Sequence, residues 1–523
     1  MSDLLIVGTL HTMDPQKPLA QAALVRAGRF VRVGTREQCE REAREGLRFI
    51  ELGEGCATPG IVDAHGHPAL HGRGLEEIKL GSARSEQECV ERTARYAQLV
   101  PTGQWVRGNG WDQNAWAARA FPDRVLLDAA TPDHPVALLR VDVHALWCNE
   151  RALQAAGVSA GTPDPPGGRI LRRADGTPTG VFIDTAMDLV RRAIPRPTVD
   201  VAEANILRSL RALAALGITG VHDAAAEPEA LEAYRRLARK DLLPLRVYAM
   251  IDGGSDLDEQ IPLALNESEL PNFVVRAVKF FADGALGSRG AALSEPYSDD
   301  PSQKGLLLSD PRALEENIVH AASAGLQPCV HCIGDQACTN VLQVFAKLPK
   351  ALRPRAEHLQ ILKARDVPLL KKSGAIASMQ PTHATSDGAW AEERLGHGTE
   401  RQRGAYAWRQ ALDAGAVLAF GSDFPVESPD PRLGLAAAAG RKLANGVAWM
   451  PEQRVTRLEA LKAFTAGAAY AEFAEARRGL IREGYDADLT VFGRDVMAVH
   501  VDELARVPIV ATVVGGQVIY AGP

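Results

Sequence analysis

The chain has 523 residues, 46% of them hydrophobic and 24% charged, with a formal net charge of -6. That length exceeds one small core, and the composition is that of a globular, water-soluble protein. The charge shows no basic excess, which argues against a nucleic-acid partner, and no stretch approaches the ~20 apolar residues of a membrane span. Seven scattered cysteines, an odd number, argue against a disulfide framework and for a reducing compartment. The start, Met1 to Gly8, lacks a basic segment and a long apolar run, so a cytoplasmic location is expected.

In chain order, residues 1–58 read as short strands at Leu4–Val7, Ala22–Val25, Phe30–Val33 and Phe49–Leu52, with one helix around Arg36–Glu45. Residues 479–523 carry matching strands at Asp488–Phe492, Ile509–Val514 and Val518–Tyr520. Neither end has enough strands alone, so the two are expected to build one small β-sandwich. From Pro59 the texture changes to strand–helix alternation. Strands are expected at Ile61–Ala64, Gly220–His222, Leu245–Ile251, Val274–Phe280, Gln327–His331, Arg355–Gln360, Ala375–Gln380 and Val417–Gly421. Helical patterns such as Val201–Leu216, Pro228–Lys240, Pro311–Ala324 and Arg365–Ser373 lie between them. Eight such repeats point to an α/β fold, a (β/α)8 TIM barrel with its active site at the C-terminal strand ends.

The barrel is expected to occupy 59–85 and 201–478. Residues 86–200, too long for a loop, read as an inserted lid domain after the first barrel strand. Four of the seven tryptophans (Trp105, Trp111, Trp116, Trp147) fall in it, either as the lid's own core or as an apolar cover for substrate.

The expected strand ends carry the chemistry. Asp63-Ala-His65-Gly-His67 places two imidazoles on one strand face, about 6–7 Å apart. The fourth strand contributes Lys279, the fifth His331, the sixth His358 and the eighth Asp423. Nitrogen and oxygen donors without thiolates suit zinc or another divalent first-row ion. A buried ammonium beside such an ion is disfavoured. Lys279 therefore either loses its proton and adds carbon dioxide to become a carbamate, or serves as a structural or substrate-binding residue.

Further residues carry two readings each. His222 and His383 end the second and seventh strands and are candidates for substrate contact or for packed, hydrogen-bonded histidines. Trp111 and His144 in the insertion, and Arg289 and Tyr297 after the fourth strand, are candidates for substrate binding or for local structure. Asp335 and Glu357 flank metal-type histidines and could orient them. Cys329-x-x-Cys332 straddles His331 inside a strand, which disfavours a redox or zinc-knuckle role.

Taken together, Asp63-Ala-His65-Gly-His67, Lys279, His331, His358 and Gly421-Ser-Asp423 resemble the amidohydrolase superfamily. Gly110-Trp111-Asp112, His144 to Asn149, Asp283 to Ser288, Glu295-Pro-Tyr297, His331 to Asp335 and Gly479 through Leu489 are similar to its amidohydrolase-3, YtcJ-like branch, which includes N-substituted formamide deformylases. The resemblance covers nearly the whole chain. It implies that His65 and His67 bind one metal ion, that His331 and His358 bind a second, and that a Lys279 carbamate bridges them. It also implies that Asp423 binds the first metal and acts as the base. Either one or two ions are compatible with the superfamily, and a homodimer is its usual assembly. The implied activity is hydrolysis of a non-peptide C–N bond, amide or N-acyl/N-formyl, of a small molecule. The rival readings are the same chemistry on an ester, lactone, cyclic imide or amine, and a non-catalytic scaffold.

Overall fold

The computed structural model describes residues 3–254 and 256–522. Among them, no helix is long and apolar enough to cross a membrane. The chain divides into two compact units, one made of residues 1–69 and 202–523, the other of Leu70–Val201.

The larger unit holds a parallel barrel. Its strands are β1 (Ile61–Gly66), β2 (Ile218–Ala226), β3 (Arg246–Asp252), β4 (Phe273–Phe281), β5 (Gln327–Cys332), β6 (Arg355–His358), β7 (Ile376–Met379) and β8 (Leu418–Phe420). Each pairs in parallel with the next in this order. The ring closes from β8 to β1 through a single parallel bridge between Gly66 and Phe424. Each expected strand is present, with its ends within four residues of those expected. Their near-continuous apolar runs are what a strand needs when both of its faces are covered. Helices Val199–Ala215, Pro228–Arg239 and Pro311–Ser323 lie between strands. Asp310 caps the last by accepting the N–H groups of Arg312 and Ala313, ahead of a proline in its first turn.

Both chain ends join in one seven-stranded sheet. Its strand order is Gln517–Ala521, Ile509–Val514, Leu489–Phe492, Arg48–Pro59, Leu4–His11, Leu19–Arg26, Arg29–Gly34. The hydrogen-bonding path runs unbroken through all seven. One core spans it, with Leu4, Ile6, Phe30, Leu52, Val491 and Val513 packed together.

The inserted unit starts earlier than residue 86. Ile78–Lys79 is already an edge strand of its six-stranded sheet, paired with Val106–Trp111. Three of its tryptophans form its core. Trp111 is fully buried, its Nε1 donates to Leu138 O at 2.8 Å, and its ring lies 6.1 Å from Trp116 and 6.2 Å from Trp147. Trp105 is partly buried against a second apolar cluster of the same unit. A substrate-contact role for Trp111 is therefore corrected: a side chain with no exposed surface and its one donor satisfied is a packing residue. Replacing the enclosed Trp147 by alanine is expected to cost about 3–5 kcal/mol of stability. Thermal melting with limited proteolysis should show the inserted unit cleaved first in that variant.

Candidate active site

The C-terminal ends of the barrel strands deliver one cluster of polar side chains. β1 supplies His65, with His67 just beyond it, β4 supplies Lys279, β5 His331 and β6 His358. His383 stands in the first turn of the helix Pro381–Leu395 after β7, and Asp423 follows β8. The Asp423 carboxylate is central. Its Oδ1 lies 3.1 Å from His67 Nε2 and 3.5 Å from His65 Nε2, and its Oδ2 3.8 Å from His383 Nε2. Lys279 Nζ is 3.4 Å from His65 Nε2. The His358 ring sits 4.7 Å from that of His65 and 4.6 Å from that of His331. Two triads of donor atoms, His65/His67/Asp423 and His358/His383/Asp423, each fit within 4.8 Å and share the carboxylate. His331 belongs to neither triad, and its Nε2 lies 3.4 Å from Gly284 O.

The backbone is arranged to permit this approach. A Cβ on Gly66 would fall 2.1 Å from the Phe424 ring, and one on Gly421 would fall 2.5 Å from His65 N. Asp423 (φ 61°) and His358 (φ 70°) both hold the left-handed conformation that side chains disfavour. Such residues cost of order 1–3 kcal/mol each and persist where surrounding contacts fix them. The Asp423 N–H donates to His65 O at 2.7 Å. Asp63 accepts the Ser422 hydroxyl at 2.6 Å and the Ser422 and His65 N–H groups at 3.1 Å each. Burial pushes Asp63 up to about 7.

Three of the imidazoles, His65, His358 and His383, are oriented from behind. Glu357 Oε2 lies 2.6 Å from His65 Nδ1, and Gln380 Oε1 lies 2.8 Å from His358 Nδ1. Gln360 Nε2 lies 3.3 Å from His383 Nδ1, and the buried His383 Nε2 has no hydrogen-bond partner. Beneath them sits Arg355, fully buried. Its Nε is 2.6 Å from Glu357 Oε1, an ion pair off the hydrogen-bonding direction. Its Nη2 donates to Ala64 O at 2.6 Å and to Ser378 Oγ at 3.0 Å.

Burial sets the protonation of the site. It lowers His65 to about 4, reinforced by Lys279, and takes His331 and His358 well below the usual histidine value. These rings are neutral at pH 7, with lone pairs free to ligate. Burial also lowers Lys279, against the raising effect of Glu357 and Asp423. For Asp423, burial is outweighed by the His67 hydrogen bond and by His65 and His358, which hold the carboxyl well below its ordinary value. Neutral imidazoles, an ionised carboxylate and a partnerless buried Nε2 form a donor set that fits a divalent ion of the zinc class.

Several sequence expectations change. His222 has no exposed surface, and its Nδ1 is 2.9 Å from Arg355 Nη1, so it is a packed histidine below the cluster rather than a substrate contact. Tyr297 is buried, and its hydroxyl donates to Ala291 O at 2.8 Å, which makes it an anchor of the loop after β4. Arg289 in that loop pairs with Asp299 at 2.7 Å. His144 pairs with Asp184 of the same unit at Nδ1, 2.8 Å away, and its side chain stays partly exposed, so both of its readings stand. Asp335 pairs with Lys363 at 2.6 Å and receives the N–H of Ser294 at 3.1 Å, so it ties loops together and orients no histidine. Arg355, Gln360 and Gln380 were missed. The signal for Arg355 was an arginine two residues before Glu357 on one strand face.

The sequence model of the amidohydrolase family matches residues 48–520. The chain belongs to this family. It is 33% identical to the putative amidohydrolase YtcJ of Bacillus subtilis (strain 168), covering 98% of each chain. It is 27% identical to an N-substituted formamide deformylase of Arthrobacter pascens, over 99% of this chain and 98% of that one. Among solved structures, it resembles an uncharacterized metal-dependent hydrolase from Pyrococcus horikoshii OT3, with TM-score 0.81 and 27% identity over 96% of this chain and 99% of that one. Membership makes this chain a hydrolase.

Glu357 generates a prediction. Burial would raise its pKa, but Arg355 and His65 override burial and hold it well below the usual glutamate value. A carboxyl depressed by folding stabilises the protein fully above its unfolded pKa. That contribution is lost as pH falls through the folded value. Glu357→Gln should therefore cost about 3–5 kcal/mol near pH 7, because it strands Arg355. The gap to the unaltered protein should narrow below about pH 4 in denaturant titrations.

Proposed function

We propose that this amidohydrolase cleaves a non-peptide C–N bond of a small molecule, an amide or N-acyl/N-formyl bond, with the aid of a divalent metal ion. The observation that carries the reading is the ionised Asp423 carboxylate shared by two triads of imidazole donors. The similar deformylase of Arthrobacter pascens acts on an N-formyl bond, which supports the choice of bond.

His65, His67 and Asp423 would hold one ion; His358 and His383 offer donors for a second, with His331 beside them. When bound, such an ion supplies Lewis acidity and lowers the pKa of the water it polarises from 15.7 toward about 7. The protein's own groups handle the protons. Asp423 takes the proton of the attacking water at its carboxylate and returns it to the leaving nitrogen. Glu357 and Gln380 keep His65 and His358 in one tautomer, with Nε2 toward the cluster. With only the first ion bound, His383 Nε2 is left unligated and can donate to the oxygen that gains charge at the carbonyl. The products are a carboxylate and an amine.

An apolar substituent on the substrate also fits, on a different ground from the tryptophans of the insertion. Phe281, 36% exposed at the end of β4, packs its ring 5.6 Å from His331.

A screen of N-formyl amines, N-acyl amino acids, aryl amides, esters, lactones and cyclic imides with added zinc, manganese or cobalt tests the reading. Amide or formamide turnover is expected. It should vanish on chelation, return with metal, and fall about 10²–10⁴-fold in Asp423→Asn. Turnover of esters or lactones alone would reassign the bond, and no turnover in the metal-loaded protein would favour a scaffold.

Lys279 is enclosed, deprotonation is favoured by its burial, and its amine faces His65. In the proposed site the neutral amine adds carbon dioxide, forming an N–C bond and releasing one proton, to leave an anionic carbamate. Lys279→Ala should then lose activity and regain part of it with millimolar acetate or formate. Lack of rescue, together with an unmodified lysine mass in the native protein, would leave Lys279 a structural amine.

A further inference from the structure

The terminal sheet carries another cluster of donor atoms, made of residues the barrel chemistry does not use. His11 ends the strand Leu4–His11, Cys56 lies in Arg48–Pro59, and Asp495 follows Leu489–Phe492. The register brings them together. Cys56 stands opposite Thr9 on one side and opposite Phe492 on the other. His11 is two residues past Thr9 and so shares its face of the pleat. Asp495 comes three residues past Phe492.

One donor atom from each of the three residues lies within 4.8 Å of the other two. His11 Nε2 is 2.8 Å from Asp495 Oδ1. That oxygen is fixed by the Met497 N–H, also at 2.8 Å. Cys56 is fully enclosed, and its sulfur lies 3.9 Å from Arg494 O. The side chains of His11 and Asp495 are 12% and 27% exposed, so the cluster opens to solvent on one side.

An ion pair alone explains His11 and Asp495 and leaves the convergence of a thiol on the same point unexplained. Imidazole nitrogen, thiolate sulfur and carboxylate oxygen are the three ligand types of protein zinc sites. The solvent side leaves a fourth position for water. The thiol also separates this cluster chemically from the barrel set, in which nitrogen and oxygen do the ligation.

We propose that His11 Nε2, Cys56 Sγ and Asp495 Oδ1 bind one zinc-class divalent ion, which clamps the first strand of the chain to the segment 484 residues later. Binding replaces the S–H bond of Cys56 by a sulfur–metal bond and releases that proton to solvent. The imidazole binds with its proton on Nδ1, and the carboxylate binds as the anion; their mutual hydrogen bond is given up. The sheet is built from both chain ends, and the ion joins them at one point, with its fourth position open to water.

The test uses the full-length protein with cobalt(II) as the spectroscopic probe and zinc for counting. A thiolate-to-cobalt charge-transfer band is expected in the near ultraviolet. It should disappear in Cys56→Ser and persist in His65→Asn, which alters only the barrel cluster. After zinc loading and gel filtration, Cys56→Ser should retain one equivalent less metal than the unaltered chain. His11→Gln, which keeps the thiol, should lose the same equivalent. Matching circular dichroism of the metal-free variants controls for folding. A protein with no such band, a band that survives Cys56→Ser, or equal zinc content in all three chains would overturn the proposal and leave a hydrogen-bonded His–Asp pair beside a buried thiol.

Discussion

The larger unit depends on one buried ion pair, Arg355 with Glu357. Neither side chain has exposed surface, and an unpaired charge at that depth would be prohibitively costly. The pair is therefore kept whole, and its remaining hydrogen-bonding capacity is spread over the barrel. Arg355 reaches Ala64 on β1, His222 on β2 and Ser378 on β7 from its own place on β6. Glu357 turns its second oxygen to His65 Nδ1. The interaction that satisfies the core thereby also fixes which nitrogen of His65 faces the cluster.

The chain of charges continues downward. His222 lies 3.7 Å from Glu472, which pairs with Arg478 at 3.3 Å, and Arg478 pairs with Asp486 at 3.1 Å. Arg246, at the start of β3, holds Asp488 at 2.6 Å just before the terminal-sheet strand Leu489–Phe492. A ladder of polar and charged groups thus runs from below the barrel mouth toward the terminal sheet, with His222, lowered by burial, between Arg355 and Glu472. Its charged members are tolerable because each has an opposite partner: Glu357 for Arg355, Arg478 for Glu472 and Asp486, and Arg246 for Asp488.

The barrel was legible because each strand is a short apolar run bounded by turn residues, and its ligands were legible because they sit where those runs end. What the sequence concealed follows from geometry that alternation does not describe. Two-residue periodicity puts Glu357 and His358 on opposite faces, yet both serve the site. The left-handed backbone at His358 breaks the alternation and lets its ring enter beside His65. His222 ends in the barrel interior as its position implied, but one layer too deep, under Arg355. Trp111 shows the limit of composition: an aromatic-rich insertion is equally compatible with a binding surface and with a core, and only packing decides. His331 and His383 exchange emphasis for a related reason. The turn into the helix after β7 carries His383 next to Asp423, while β5 leaves His331 facing Gly284 and the His358 ring.

The contacts that close the barrel also bring His65 and His67 to Asp423. The seam between β8 and β1 has few ladder bonds of its own. It is held by the bridge from Gly66 to Phe424, by the His67 N–H on Phe424 O at 2.9 Å, and by the Asp423 N–H on His65 O. Asp63 adds its grip on Ser422. Every one of these bonds joins a residue of the Asp63-Ala-His65-Gly-His67 stretch to one between Ser422 and Phe424. The unfavourable backbone of Asp423 is thus sustained by the contacts that shut the ring, the same contacts that bring its carboxylate beside the imidazoles. This explains why two glycines, Gly66 and Gly421, flank the seam: with a side chain at either, β1 and β8 could not come close enough to seal the barrel or to bring Asp423 within reach of His65 and His67.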